Sequence, residues 1–157
     1  MERILADTNV LLRIAEPSQA DHLIAVNALV SLAAKYGKTC VLAQNLIEFW
    51  NVATRPSDNN GFGWTSATTF AEVTRLESIF TVLPDTPDIY LRWKSVVVTN
   101  SVLGKNVHDA RIAAATDVHQ ISKLLTFNGK DFKRFGNVEV IDPHSIDMLD
   151  EQSTSEY

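Results

Sequence analysis

The 157-residue sequence predicts an α/β protein, a three-layer α/β/α sandwich around a central, mostly parallel sheet. Short apolar runs of strand type alternate with longer segments whose apolar residues recur at three and four spacing, and parallel neighbours need such crossovers. Polar residues, acids among them, sit where these strands end and helices begin. In open parallel sheets that edge is where ligands bind.

Arg3 to Ala6 reads as a buried strand, and the apolar run after Asn9 reads as the first turns of a helix. From Asp21 to Tyr36, Leu23, Ile24, Val26, Leu29, Val30, Leu32 and Ala33 mark a helix, and Gly37 supplies its stop. Thr39 to Ala43 is a second strand. Gln44 to Arg55 carries Leu46, Ile47, Phe49, Trp50, Val52 and Ala53 on one face, with Gln44, Asn45, Glu48 and Asn51 opposite, and Arg55-Pro56 ends it. Pro56 to Gly63, rich in Asn and Gly, is a loop. A helix from Thr65-Ser66 to about Phe80 leads into a strand at Thr81 to Leu83. Asp85 to Val102 reads as a helix with Pro87 near its first turn, followed by another from about Val107 to His119. A strand at Ser122 to Thr126, a short helix at Asp131 to Phe135, a strand at Val138 to Ile141 and a helical turn after Pro143 complete the pattern.

The length suits one domain over residues 1–150 with a sizeable core, and residues 151–157 read as a disordered tail. Cys40 is the only cysteine, so no intramolecular disulfide forms, and its expected role is small core filler. No apolar run approaches the length needed to span a bilayer, and no leader pattern opens the chain, so it is expected in the cytoplasm without a membrane partner. With 19 acids against 14 Lys and Arg, the net charge of −5 argues against a broad basic coat for nucleic acid. A hydrolase that gathers carboxylates around metal ions is compatible with that balance.

Four acids occupy informative positions. Asp7 ends the first strand, where the alternative is a plain N-cap. Glu48 lies on the polar stripe of the helix after the second strand. Asp109, in a first helical turn, has Ile112, Ala113 and Thr116 at i+3, i+4 and i+7, which sets it beside the apolar stripe. Asp131 follows the tight turn Asn128-Gly129 after the fourth strand. Carboxylates brought together repel one another and raise each other's pKa unless cations neutralise them. Oxygen ligands alone suit Mg²⁺ or Mn²⁺, and no His/Cys spacing resembles a zinc site.

These residues resemble the PIN-domain ribonucleases and, within them, the VapC-type toxins of bacterial toxin–antitoxin pairs. The resemblance spans nearly the whole chain. It rests on Asp7-Thr8-Asn9-Val10-Leu11-Leu12, on Glu48 within Gln44 to Ala53, on His108-Asp109-Ala110-Arg111-Ile112-Ala113-Ala114, and on Leu125-Thr126-Phe127-Asn128-Gly129-Lys130-Asp131-Phe132. Arg55-Pro56 followed by Asn60-Gly61-Phe62-Gly63 is similar to a loop in one branch of these toxins. It implies a metal-dependent endoribonuclease in which Asp7, Glu48 and Asp109 bind divalent metal, with a fourth polar position from the Thr126 to Phe132 segment. Many relatives have an acid where this chain has Asn128; Asp131, which carries charge, is the favoured fourth ligand, with Asn128 the alternative. Asn9 matches the small polar residue that supports the first aspartate, and Thr8 and Thr126 flank the same junctions.

In the expected mechanism, Asp7 and Asp109 hold the principal Mg²⁺ or Mn²⁺, while Glu48 and Asp131 complete a second site or orient water. Arg13, Lys105, Arg111 and Lys130, with Lys133 and Arg134, are candidates for holding RNA phosphates. The resemblance also implies a homodimer and a cognate antitoxin lying over the groove. Two other readings stand beside it. A phosphotransferase with Asp7 as nucleophile usually needs a second acid two residues on, where this chain has Asn9. A catalytically silent PIN-like protein-binding module would keep the fold without the chemistry.

Overall fold

The computed structural model describes residues 2–148; the predicted tail at 151–157 lies outside them. Five strands, β1 (Ile4–Ala6), β2 (Cys40–Leu42), β3 (Thr81–Leu83), β4 (Lys123–Leu125) and β5 (Glu139–Ile141), form one parallel sheet in the order β3-β2-β1-β4-β5. Every strand pair is parallel because each connection passes over a face of the sheet. β1 is central: Leu5 pairs with Cys40 on one side and with Leu124 on the other. Strands added after β1 run first one way and then the other, so the chain reverses direction between β1 and β4. The crevice outside their carboxyl ends is the topological switch point.

Six α-helices cover the sheet among the described residues: α1 (Thr8–Ala15), α2 (His22–Tyr36), α3 (Ala43–Thr54), α4 (Ser66–Ile79), α5 (Pro87–Thr99) and α6 (Val107–Val118). The period-two alternation of the strands divides them into two layers. Ile4, Ala6, Val41 and Leu125 join a cluster with α1 to α4, including Phe49 and Leu76. Leu5, Cys40, Leu42 and Leu124 point the other way, against Ile89 of α5 and Ile112 and Ala115 of α6. The central strands are apolar on both faces because both faces are covered. Burying Phe49 fully makes its truncation to Ala worth about 3–5 kcal/mol.

Several boundaries differ from the sequence expectation. The helix expected over 85–102 spans only Pro87–Thr99. Ser101, at φ 49, turns the chain so that Val102 is buried against α6. The short helix expected at Asp131 to Phe135 is two 3-10 turns, Gly129–Asp131 and Lys133–Phe135. The loop at 56–63 is docked on α3, with Gly63 N donating to the Arg55 carbonyl at 2.8 Å and Phe62 N to the Val52 carbonyl at 3.1 Å. A Cβ on Gly61 would lie 2.0 Å from the Arg55 carbonyl oxygen, which explains glycine there. The loop leads into Trp64, which packs on Phe49 and against Phe62. No helix among the described residues is long and apolar enough to cross a membrane.

Candidate active site

Asp7 extends β1 by one residue, its N–H donating to the Leu125 carbonyl of β4 at 2.9 Å. That bond sets its carboxylate at the switch point. Oδ1 accepts from Thr8 N at 2.8 Å, and Oδ2 accepts from the Thr126 hydroxyl at 2.8 Å and from Asn9 Nδ2 at 3.3 Å. The side chain therefore does cap α1, but it is also only 7% exposed and, among the described residues, makes no ion pair with a cation. Burial is the main force that pushes its pKa up to about 6. The Thr126 and Thr8 hydrogen bonds oppose that rise, and the charges of Glu48 and Asp109 add to it.

Asn9 ties the two strand ends together. Its amide donates to Asp7 Oδ2 and to Thr126 Oγ1 at 3.1 Å, and its carbonyl oxygen accepts from Phe127 N at 3.1 Å. Thr126, fully buried, accepts in addition from Asn128 N at 3.1 Å.

On the β2 side, Glu48 is held by two donors, the Thr8 hydroxyl at 2.7 Å and Gln44 Nε2 at 2.8 Å. The polar stripe on α3 faces the sheet edge. Gln44 is 9% exposed and Asn45 fully buried, because both have partners inside the fold. Asn45 Oδ1 accepts from Leu42 N at 2.9 Å and its amide donates to the Thr8 hydroxyl at 3.2 Å. Gln44 also donates to the His108 carbonyl at 3.0 Å, joining α3 to the start of α6.

Asp109 is half-buried in the first turn of α6. Its pKa rises to about 6, chiefly through burial, then through the charges of Asp131 and Glu48, while His108 and Lys105 pull it down. Asp131 is exposed at the end of a 3-10 turn, with its N–H on the Asn128 carbonyl at 3.0 Å. The structure thus brings Asp7, Glu48, Asp109 and Asp131 into one electrostatic neighbourhood, and Asn128 meets it through its backbone N–H.

In chemistry, though not in its present spacing, this donor set suits a hard divalent cation. It is made of oxygens, its innermost carboxylate is buried without an ion pair among the described residues, and the charge of Glu48 raises the pKa of both Asp7 and Asp109. Among the described residues no group of three or more Asp, Glu, His or Cys is arranged so that it could hold a metal ion. Thr8 and Gln44 claim both oxygens of Glu48, so an ion must compete with those bonds.

The phosphate candidates separate into two groups. Arg111 is engaged by Gln44 Oε1 and Asp85 Oδ1, both at 3.1 Å, and Arg134 by the Asn100 carbonyl. Arg13 donates to the Asn9 carbonyl and lies over the Phe127 ring at 4.2 Å. Lys105, Lys130 and Lys133 are exposed at the site's rim. A cleft of about 620 Å³ between α3 and α4 is lined by apolar groups such as Leu46, Ile47 and Trp50 and holds none of the four acids. Sequence reasoning passed over Asn45 and Phe127; their only signal was adjacency to the junctions that Gln44 and Thr126 mark.

A family model for the PIN domain matches residues 4–138. No curated protein matches by sequence. Among solved structures, DNA-bound VapBC from Salmonella typhimurium superposes with a TM-score of 0.68 at 16% identity, covering 91% of this chain and 99% of that one. VapBC2 from Rickettsia felis, bound to a fragment of its promoter DNA, gives 0.66 at 14%, covering 88% and 97%. VapC20 of Mycobacterium tuberculosis, a toxin that cleaves the sarcin-ricin loop, gives 0.63 at 22%, covering 87% and 98%. At these identities the likeness is one of fold.

Proposed function

Since the chain belongs to the PIN-domain family, we propose that it is a metal-dependent endoribonuclease and the toxin of a toxin–antitoxin pair. The observation that carries this reading is Asp7, buried at the switch point, without an ion pair among the described residues, and sharing its field with Glu48 and Asp109, the latter in turn beside Asp131. Asp7 and Asp109 would hold Mg²⁺ or Mn²⁺. When bound, such an ion lowers the pKa of a water ligand and stabilises charge on a phosphodiester. Thr8, Asn9 and Thr126 keep Asp7 in one orientation. Glu48 and Asp131 orient the attacking water and complete the anionic rim, with Asn128 contributing its backbone. Lys105 and Lys130 hold the phosphates.

The partner follows from the neighbours: several are toxin–antitoxin complexes, and some of these are bound to DNA. A cognate antitoxin is therefore the expected protein partner, and a homodimer the expected toxin assembly. The test is cleavage of total RNA by the wild type and by Asp109→Asn, each with Mg²⁺, Mn²⁺ or EDTA. Discrete products from the wild type only, and only with metal, are expected. A folded wild type that cuts no RNA with either ion would overturn the enzyme and leave the silent binding module.

A further inference from the structure

Next to the carboxylates, on the β5 side of the sheet edge, the structure carries a cleft of about 500 Å³ whose walls include Phe127, Asn128, Lys130, Lys133 and Asp142. Its volume falls within the roughly 300–1,000 Å³ of small-ligand sites. The cleft begins where the site ends, since Phe127 directly follows Thr126 and Lys130 directly precedes Asp131.

Three features give it a chemistry. The first is a rigid aromatic surface. Phe127 is half-buried against the α1–α4 core, Arg13 covers its ring at 4.2 Å, and the His144 ring packs against it at 5.4 Å and 85°. His144 is itself fixed, with Nδ1 3.0 Å from Asp142 Oδ1 and Nε2 3.4 Å from Asp21 Oδ2. The second is a pair of cations, Lys130 and Lys133, both exposed. The third is Asp142, whose carboxylate repels a phosphate and accepts from a base amino group.

Phe127 is also registered to the carboxylates. Its N–H donates to Asn9 Oδ1 at 3.1 Å, and Asn9 donates to Asp7 Oδ2 at 3.3 Å. Two hydrogen bonds therefore separate the aromatic surface from the innermost acid. Arg13 and His144 already hold the ring, and the part of Phe127 that lines the cleft, with lysines beside it, suits an unstacked base and its phosphate better than a base inside a duplex.

We propose that this cleft is a subsite for one unpaired nucleotide flanking the scissile phosphate, its base on Phe127 and its phosphate on Lys130 and Lys133. The inference rests on the nuclease reading and adds to it a place for the nucleotide beside the cut, formed by Phe127, Lys130 and Lys133.

Binding measured without turnover tests it, using fluorescence anisotropy of a labelled eight-nucleotide single-stranded RNA and its duplex on the Asp109→Asn protein. The single strand is expected to bind more tightly than the duplex. Lys130→Ala with Lys133→Ala should weaken it roughly tenfold at 0.15 M salt and reduce the log–log salt slope by about 1.4, the value for two contacts on a single strand. Phe127→Leu should weaken binding about tenfold with a smaller effect on the salt slope, and Phe127→Trp should restore it. Because Phe127 touches the core, thermal melts of both variants accompany the titrations. Single-strand binding by the parent that none of these substitutions changes would sink the subsite while sparing the nuclease. A parent that binds no RNA would remove both. Capture of an acidic octapeptide that depends on the lysines but not on Phe127 would reassign the cleft to a protein partner.

Discussion

The floor of the site and its rim are built on opposite terms. On the floor, Asp7, Thr8, Asn9, Asn45 and Thr126 form a closed set of hydrogen bonds between β1, β4 and α3, and four of these five residues are buried. At the rim, Asp131, Asn128, Lys105, Lys130 and Lys133 stand exposed on 3-10 turns and the residues around them. A closed polar network holds one carboxylate in place whatever is bound, at the cost of desolvating it. An open rim leaves its charges to be organised by the ligand. Position is set by the floor and occupancy is left to the rim.

The largest separation between them is expected from Asp7→Asn. Cleavage should fall by roughly 10³-fold or more, equivalent to about 4 kcal/mol of transition-state stabilisation. Metal-free stability at pH 7 should nonetheless rise. A carboxyl raised to about 6 from 3.8 binds its proton more tightly when folded, so its contribution to stability is greatest below pH 4 and declines as pH rises towards 6. Removing that charge should recover about 1–3 kcal/mol in a denaturant titration, less any loss from the Thr126 bond. Mg²⁺ should raise the melting temperature of the wild type and not of the variant. A variant melting below the wild type at pH 7 would contradict the burial argument.

Thr126→Val is the next largest. It withdraws a donor from Asp7 and an acceptor from Asn9 and Asn128, which at a buried site costs about 1–3 kcal/mol. Loss of a bond to the charged form should also push the Asp7 pKa higher, moving the acid limb of the pH–rate profile upward. An unmoved limb with an unchanged melting temperature would show the floor to be less coupled than its hydrogen bonds suggest.

The smallest effects belong to the rim. Asp131→Asn should slow cleavage by about tenfold and lower the pKa of Asp109, because one repelling charge disappears. Placing a carboxylate at the neighbouring turn position, Asn128→Asp, in that background should restore part of the rate. Equal rates for wild type and Asp131→Asn would assign the fourth position to Asn128.

Much of the floor was legible in the chain. An aspartate ending an apolar strand and followed by a helical run has few places to go in a parallel sheet, and Asn9 sits two residues on. The strands themselves are apolar at both faces, which marks a buried sheet before any contact is known. Other parts were hidden by residue type. The polarity of Gln44 and Asn45 reveals nothing of their partners 64 and 37 residues away. Nothing in the local pattern around Phe127 shows that Arg13 and His144 converge on it from α1 and the turn after β5.

The chain by itself determined that strands and helices alternate, that the sheet is parallel, and that acids sit at strand-to-helix junctions, because these are matters of local periodicity and short spacing. Only the tertiary structure decided that β1 and β4 are neighbours, that Asp7 and Thr126 therefore share a hydrogen bond across 119 residues, and that Asp131 and Glu48 both act on Asp109. Strand order and charge proximity depend on which distant segments meet, and nothing in the local pattern encodes that.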